Sequence, residues 1–420
     1  MRALRLQGAV WAALLLAVAA CDRAQPIVEL WSDRAELAAY VETFNAAGGP
    51  VKVELTYVAQ PAQELLRGAK APDLVFGSWL ASPELQRLLL PLDRGLQDQV
   101  ADASFFPGLS AADQADGRRV TLPFAFNLPV VVFARAAAPP GIDQFVLTAE
   151  ELRRLGDEYV SGTPERVTHV GFSPLWDVDL VYFLAQSFGA GFAATADGHV
   201  NIDAAAVAKA VAAAHDWIRN SHGGITSDRE FTDTYFHRPL YQLVLEGRVR
   251  MYLSDIASFA LLPEPKRELL DFRWLALEGG IPVLEGYSAF AIPVAGGNAA
   301  GARLFLSWIF QAEIQARLLD TAAFKRLRGF GLAGGFPVLR EVSERILPRT
   351  HGFLIGRLPD ADLLRLPPPA PVYWGEAKEQ VVRPWLRTAV AAGAPAATRQ
   401  PGLAEALSRW RRSADVPITR

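Results

Sequence analysis

The chain has one cysteine, Cys21, in 420 residues. No second thiol is available for an intrachain disulfide, so no covalent staple holds the fold, and cysteine-rich zinc sites are excluded. Histidine is also sparse. His169, His199, His215, His222, His237 and His351 are scattered, and none falls in a His-Glu-x-x-His pattern. Gly171-Phe172-Ser173-Pro174-Leu175 lacks the closing glycine of a nucleophile elbow. Gly331–Phe336 lacks the Gly-Lys-Ser/Thr ending of a phosphate loop. Paired carboxylates for glycoside hydrolysis are set by spatial and not sequential spacing, and nothing in the sequence singles out such a pair. Lys and Arg number 42 against 45 Asp and Glu, a formal charge of −3 with no basic patch, so nucleic acid is not an expected partner. Past residue 20 no apolar run approaches the roughly twenty residues of a bilayer-crossing helix.

What is present starts at the N-terminus, MRALRLQGAVWAALLLAVAAC. Arg2 and Arg5 form a short basic region, and Ala9 to Ala20 form an uncharged run too short to span a bilayer comfortably. This order reads as an export signal over residues 1–20. Val18-Ala19-Ala20-Cys21 resembles a bacterial lipobox, in which the cysteine becomes the lipidated first residue of the mature chain. The resemblance implies a protein anchored at Cys21 by several acyl chains, on the periplasmic or extracellular side of a membrane. Asp22 is a residue that favours inner-membrane retention in some didermic bacteria.

The remaining chain is 51% hydrophobic and 21% charged, a globular balance, and long enough for two domains. Ile27–Trp31 reads as a strand. Ala35–Ala47 reads as a helix, with Leu37, Tyr40, Val41 and Phe44 on its buried face. Val51–Val58 alternates as a strand, with Val53, Leu55 and Tyr57 on one face. A helix at Ala62–Gly68, a strand at Asp73–Phe76 and a helix at Pro83–Leu90 follow. This β-α-β-α-β order predicts a mostly parallel sheet. Val130–Phe133, Arg250–Leu253 and Ala289–Ile292 read as later strands. Val178–Phe188, Ala204–Asn220 and Arg238–Glu246 read as helices, and the last hundred residues are expected to be mostly helical.

An ordered series of segments resembles the family 1 extracellular solute-binding proteins of bacterial transporters, over nearly all of residues 26–415. These segments are IVELWSDRAELAAYVETFNAAGGPVKVELTYV, LLRGAKAPDLVFGSWL, LLLPLDRGL, DGRRVTLPFAFNLPVVVFAR, EGYSAFAIPVAG and AGGFPVLREV. The resemblance implies an α/β, two-lobed periplasmic-binding-protein fold of type II. A ligand cleft would lie between lobes joined by hinge strands. One lobe is expected at 26–132 plus 288–328, the other at 133–287 plus 329–415. It further implies a monomeric receptor of an ABC importer. Such a receptor takes a small molecule, here expected to be a sugar, to permease subunits, with no chemical step, cofactor or metal. A polyol phosphate or polyamine receptor, a sensor partner of a membrane kinase, and an exported carbohydrate-active enzyme are the alternative readings.

A sugar presents hydroxyls and C–H faces, so its site needs aromatic rings beside a few polar groups, at the carboxyl ends of strands. Trp31, Ser32 and Asp33 follow the first strand, although Asp33 also suits a helix cap. Ser78 and Trp79 follow the third strand. Phe126 and Asn127 lie in the first crossing, Tyr287 and Ser288 in the second. Trp176 and Asp177 precede a helix, where Asp177 suits an N-cap, and Asp255 follows the strand Arg250–Leu253. Gly335 is a residue where backbone can approach a ligand closely. Trp374 starts a late helix that packs in the core or reaches the cleft. Trp217, Trp274, Trp308, Trp385 and Trp410 read as packing residues.

Overall fold

The computed structural model describes residues 25–413, apart from 69, 100–104, 107–108, 110–113, 116–117, 140, 144, 164–165, 196–197, 222, 286 and 394–401. The expected export signal and Cys21 lie outside the described residues. Ten strands carry the architecture, here numbered in chain order. They are β1 (Ile27–Ser32), β2 (Lys52–Tyr57), β3 (Leu74–Gly77), β4 (Thr121–Phe126), β5 (Pro129–Ala134), β6 (Val146–Thr148), β7 (Met251–Asp255), β8 (Leu270–Ala276), β9 (Ser288–Ala291) and β10 (Phe336–Pro337).

The first sheet has the order β10-β4-β9-β3-β1-β2. β1 pairs in parallel with β2 and β3, as the β-α-β-α-β order predicts, with Leu30 opposite both Leu55 and Leu74. β9, β4 and β10 then extend the sheet in antiparallel pairs. The helix expected at 35–47 forms at Leu37–Ala46 and buries Leu37, Tyr40, Val41 and Phe44. On β2 the alternating face decays along the strand: Val53 is buried, but Tyr57 is 64% exposed. β2 is the edge of the sheet, and its far end has no neighbour to cover it.

The Pro-Asp pair before β3 has a structural role. Asp73 accepts backbone N–H groups from Glu29 (2.9 Å) and Asn298 (2.6 Å), joining β1 to the start of the helix Ala299–Ile309. Asn298 caps that helix by accepting from Gly301 N and donates to the carbonyl of Ile27. Phe76, Phe124 and Phe290 close the core between these elements, with Phe76 and Phe290 ring centroids 4.4 Å apart.

The second sheet has the order β7-β5-β8-β6. β5 is a continuous apolar run because both its faces are covered. Val131 and Phe133 face a second core with Leu147, Met251 and Leu275, while Val130 and Val132 join the first core with Tyr252, Phe272 and Trp274. The sequence reading passed over β8, although all seven of its residues are buried. Asp271 and Arg273 interrupt its apolar pattern. Their charges pair at 3.2 Å inside the fold, and Arg357 also donates to Asp271.

The helix expected at 83–90 is only Pro83–Gln86, and the one expected at 238–246 is Leu240–Leu245. Prolines 83 and 239 set where each can start. After residue 329 the chain lends β10 to the first sheet before entering the final helices.

Candidate functional site

Strand register gathers most of the expected ligand residues. Ser32 lies opposite Phe76, Ala289 opposite Gly77, Ser288 opposite Ala125, and Phe336 opposite Phe126. Ser32–Asp33, Ser78–Trp79, Asn127, Tyr287–Ser288 and Gly335 therefore emerge along one end of the first sheet, the carboxyl end of β1, β3 and β4. On the second sheet, Asp255 ends β7 opposite Pro129. A parallel bridge from Val170 to Val249 sends residues 171–177 out toward that same end of β7. The two groups meet directly, because Asn127 Nδ2 donates to Asp255 Oδ1 at 2.7 Å.

The individual side chains divide into three kinds. Trp31, Ser32, Phe126, Tyr287, Ser288 and Trp374 are buried. The Trp31 indole donates to Glu29 Oε1 at 2.9 Å, and Ser32 Oγ accepts from Arg34 N at 3.0 Å. Phe126 packs between Phe106 and Phe336. Trp374 sits against Phe192 and Tyr182 in the second core. Asn127 and Asp255 are held by local bonds. Asn127 Oδ1 accepts from Leu128 N, and Asp255 caps the helix Ile256–Ala260 through Ser258 N at 2.9 Å.

Gly335 serves the backbone: a Cβ there would stand 2.5 Å from the carbonyl oxygen of Phe126. Its missing side chain lets the start of β10 lie against the end of β4.

The third kind is unfinished. Asp33 Oδ1, Trp79 Nε1 and Trp176 Nε1, like Trp374 Nε1 in the second core, are each buried and make no hydrogen bond. Burying such groups without a partner costs about 1–3 kcal/mol each. Desolvation raises the Asp33 carboxyl above its ordinary value, an effect the Arg34 charge 4.0 Å away only partly offsets. The Trp79 indole lies over the backbone of Gly77, where any side chain would collide with its Nε1. Trp176 stacks on Phe231 at 5.9 Å and meets Phe236 at 5.0 Å, so its ring is held in place by neighbours. Asp177 accepts from Asp179 N at 3.0 Å, and burial, followed by the Asp179 charge, raises its pKa.

Sequence reasoning missed a charged network below the second crossing. Glu285 accepts from the Tyr182 hydroxyl, and Lys378 Nζ stands 3.3 Å from Glu285 and 3.6 Å from Asp179. Arg383 Nε donates to Asp179 at 2.9 Å. Burial alone would raise the Asp179 pKa, but Arg383 and Lys378 hold it below the ordinary value. The backbone explains how two cations reach one carboxylate. Residues 378–382 form a π-helical turn in which Arg383 N donates to Lys378 O. In that wider turn residues five apart share a face, which they do not in an α-helix. The only hint in the sequence was Glu285 itself, an acid within an otherwise apolar crossing.

A groove of about 1430 Å³ runs beside this edge, between Glu36 and Tyr40 on one wall and Phe259 and Arg267 on the other. Ala35, Ala257 and Gly334 in its lining stand within two residues of Asp33, Asp255 and Gly335, but none of the expected ligand residues lines it. Among the described residues no cluster of three or more His, Cys, Asp or Glu is placed to hold a metal ion, and no helix is long and apolar enough to cross a membrane.

The two-lobed architecture is that of known binding proteins. The sugar-binding protein MalE from Xanthomonas citri matches over 93% of this chain and 100% of its own, at 17% identity and TM-score 0.65. An ABC substrate-binding protein from Listeria monocytogenes, solved in complex with cycloalternan, matches over 94% and 100%, at 12% identity and TM-score 0.60. The GacH receptor of Streptomyces glaucescens, solved unliganded and with acarbose, matches over 93% and 98%, at 15% identity and TM-score 0.57. No curated protein matches the chain in sequence at a significant level. The family model for bacterial extracellular solute-binding proteins matches residues 31–316, and with the fold in agreement, this chain belongs to that family.

Proposed function

We propose that this protein is the substrate-binding lipoprotein of an ABC-type importer. It captures a carbohydrate between its lobes and delivers it to membrane permease subunits, as a monomer and without a chemical step. The observation that carries the reading is the set of three unfinished polar atoms, Asp33 Oδ1, Trp79 Nε1 and Trp176 Nε1, on residues at the strand ends. Indole N–H groups donate to sugar oxygens, a carboxylate accepts from sugar hydroxyls, and the indole faces pack on C–H surfaces. A hydroxyl-rich ligand would complete all three at once, and their buried state then favours binding over the empty site. The neighbours solved with cycloalternan and acarbose bind molecules of this class. The anchor in this reading is Cys21, which ties the receptor to the outer face of a membrane.

The test is a thermal-shift screen of residues 22–420 against sugars, polyols, their phosphates, polyamines and metal ions. A ligand that binds only the folded state raises the melting temperature with concentration. A shift with one sugar group, lost in Trp79→Ala and Asp33→Asn, supports the reading. A shift with a phosphate ester or a polyamine and with no sugar overturns the carbohydrate assignment and keeps the binding fold.

A further inference from the structure

One carboxylate of the first lobe lies against the second. Glu84 belongs to the short helix Pro83–Gln86 that follows the Trp79 loop, and Leu85 beside it is fixed in the first core. The Ser82 hydroxyl donates to Glu84 Oε2. The other oxygen reaches Gly198, just before the second strand of the pair Gly191–Ala194 and Val200–Ile202, which packs in the second core. A Cβ placed on Gly198 would stand 3.0 Å from Glu84 Oε1 and 3.6 Å from Arg411 Nη2. The two opposite charges therefore flank a single glycine without touching in a direct ion pair.

Gly198 has φ +72°, a conformation side chains rarely adopt, and its bare backbone leaves room for both groups. Arg411 comes from the helix Leu403–Ser413, seated in the second core through Leu403 and Leu407. Arg411 is only 8% exposed. Its guanidinium lies 5.2 Å over the Tyr373 ring and 3.0 Å from His199 Nδ1, while the Tyr373 hydroxyl donates to Gly198 O at 3.0 Å. The second lobe thus presents a preset cation, and the first lobe presents a preset anion to it.

We propose that Glu84 and Arg411 are an electrostatic latch between the lobes that keeps part of the ligand-free population closed. The latch sets apparent affinity without touching ligand. A ligand that needs the closed form binds in proportion to how much of it is already populated. Removing one charge lowers the closed fraction, and exchanging the two charges preserves it.

Residues 22–420 contain no cysteine, so two can be introduced as labelling sites. Arg67→Cys and Ala208→Cys lie on exposed positions of helices Pro61–Arg67 and Ala204–Ser221, one in each lobe. Spin-label distances are measured on the protein without any sugar, so the result does not depend on the ligand class proposed above. The wild type is expected to show a short and a long population. Glu84→Gln should lower the short-to-long ratio about three- to tenfold, and the exchange Glu84→Arg with Arg411→Glu should restore it. If the exchanged chain does not fold, added salt replaces it: salt must lower the short population of the wild type and leave that of Glu84→Gln unmoved. A wild type with no short population, an unchanged ratio in Glu84→Gln, or a folded exchange that stays open overturns the latch.

Discussion

Asp177 and Asp179 stand two residues apart and titrate in opposite senses. Asp177 is buried beside another carboxylate and its pKa is raised; Asp179 is gripped by Arg383 and Lys378 and its pKa is lowered. The raised group costs stability at neutral pH, and that cost disappears as pH falls below the ordinary carboxylate value, because the folded state takes up its proton first. Asp177→Asn keeps the acceptor for Asp179 N and removes the charge. It should gain about 1 kcal/mol at pH 7 in urea denaturation, with the gain gone near pH 3. The lowered group does the reverse. Its contribution is present above the ordinary value and is lost as pH falls through the lowered one. Asp179→Asn should therefore lose about 2 kcal/mol at pH 7, since it leaves Lys378 and the half-buried Arg383 under-compensated. The same scale separates the two tryptophans. Trp176→Ala should cost about 3 kcal/mol in stability as well as ligand binding, because its ring fills a cluster with Phe231 and Phe236.

At the scale of elements, the pairing of β10 with β4 depends on close backbone contact. Gly335→Ala would drive a methyl group to 2.5 Å from the Phe126 carbonyl and force β10 and β4 apart. Gly334→Ala meets open space and only the strain of φ +77°. Thermal denaturation should therefore rank them, with Gly335→Ala losing more than about 2 kcal/mol and Gly334→Ala about 1. The elements also show what sequence pattern conveys. The β-α-β-α-β opening was legible because each segment buries one face, and its periodicity records that. β8 was not legible, since Asp271 and Arg273 break its apolar run, and only the fold shows them paired with each other and with Arg357, 84 residues or more further on. The π turn at 378–382 was equally hidden: it brings two cations to one carboxylate that lies on another helix.

For the molecule as a whole, β5 decides how the lobes behave. Its two faces belong to the two cores, and the face with Val130 and Val132 joins a core that also contains β1, β3 and β4. A chain of two lobes that share a core should unfold as one unit. Differential scanning calorimetry of residues 22–420 should give a single transition whose calorimetric and van't Hoff enthalpies agree; two resolved transitions would show that the lobes fold independently.

The amino-acid order alone determined the alternation of strands and helices, the buried face of each early helix, and the loops that follow β1, β3, β4 and β7. Those features arise from near neighbours in the chain, through side-chain periodicity and the conformational limits of proline and glycine. Whether a polar atom in those loops finds a partner or is left without one was decided only by tertiary structure. Trp31 and Trp79 look alike in sequence, each an indole after an apolar strand. One finds a carboxylate on its own strand, while the other is left over a glycine with its N–H unmet. The pairing of Asn127 with Asp255, 128 residues apart, and the approach of Glu84 to Arg411 likewise depend on where the crossings bring the two sheets together. Hydrogen bonds and charges act over a few ångströms of space, and a linear sequence does not record that distance for residues so far apart in the chain.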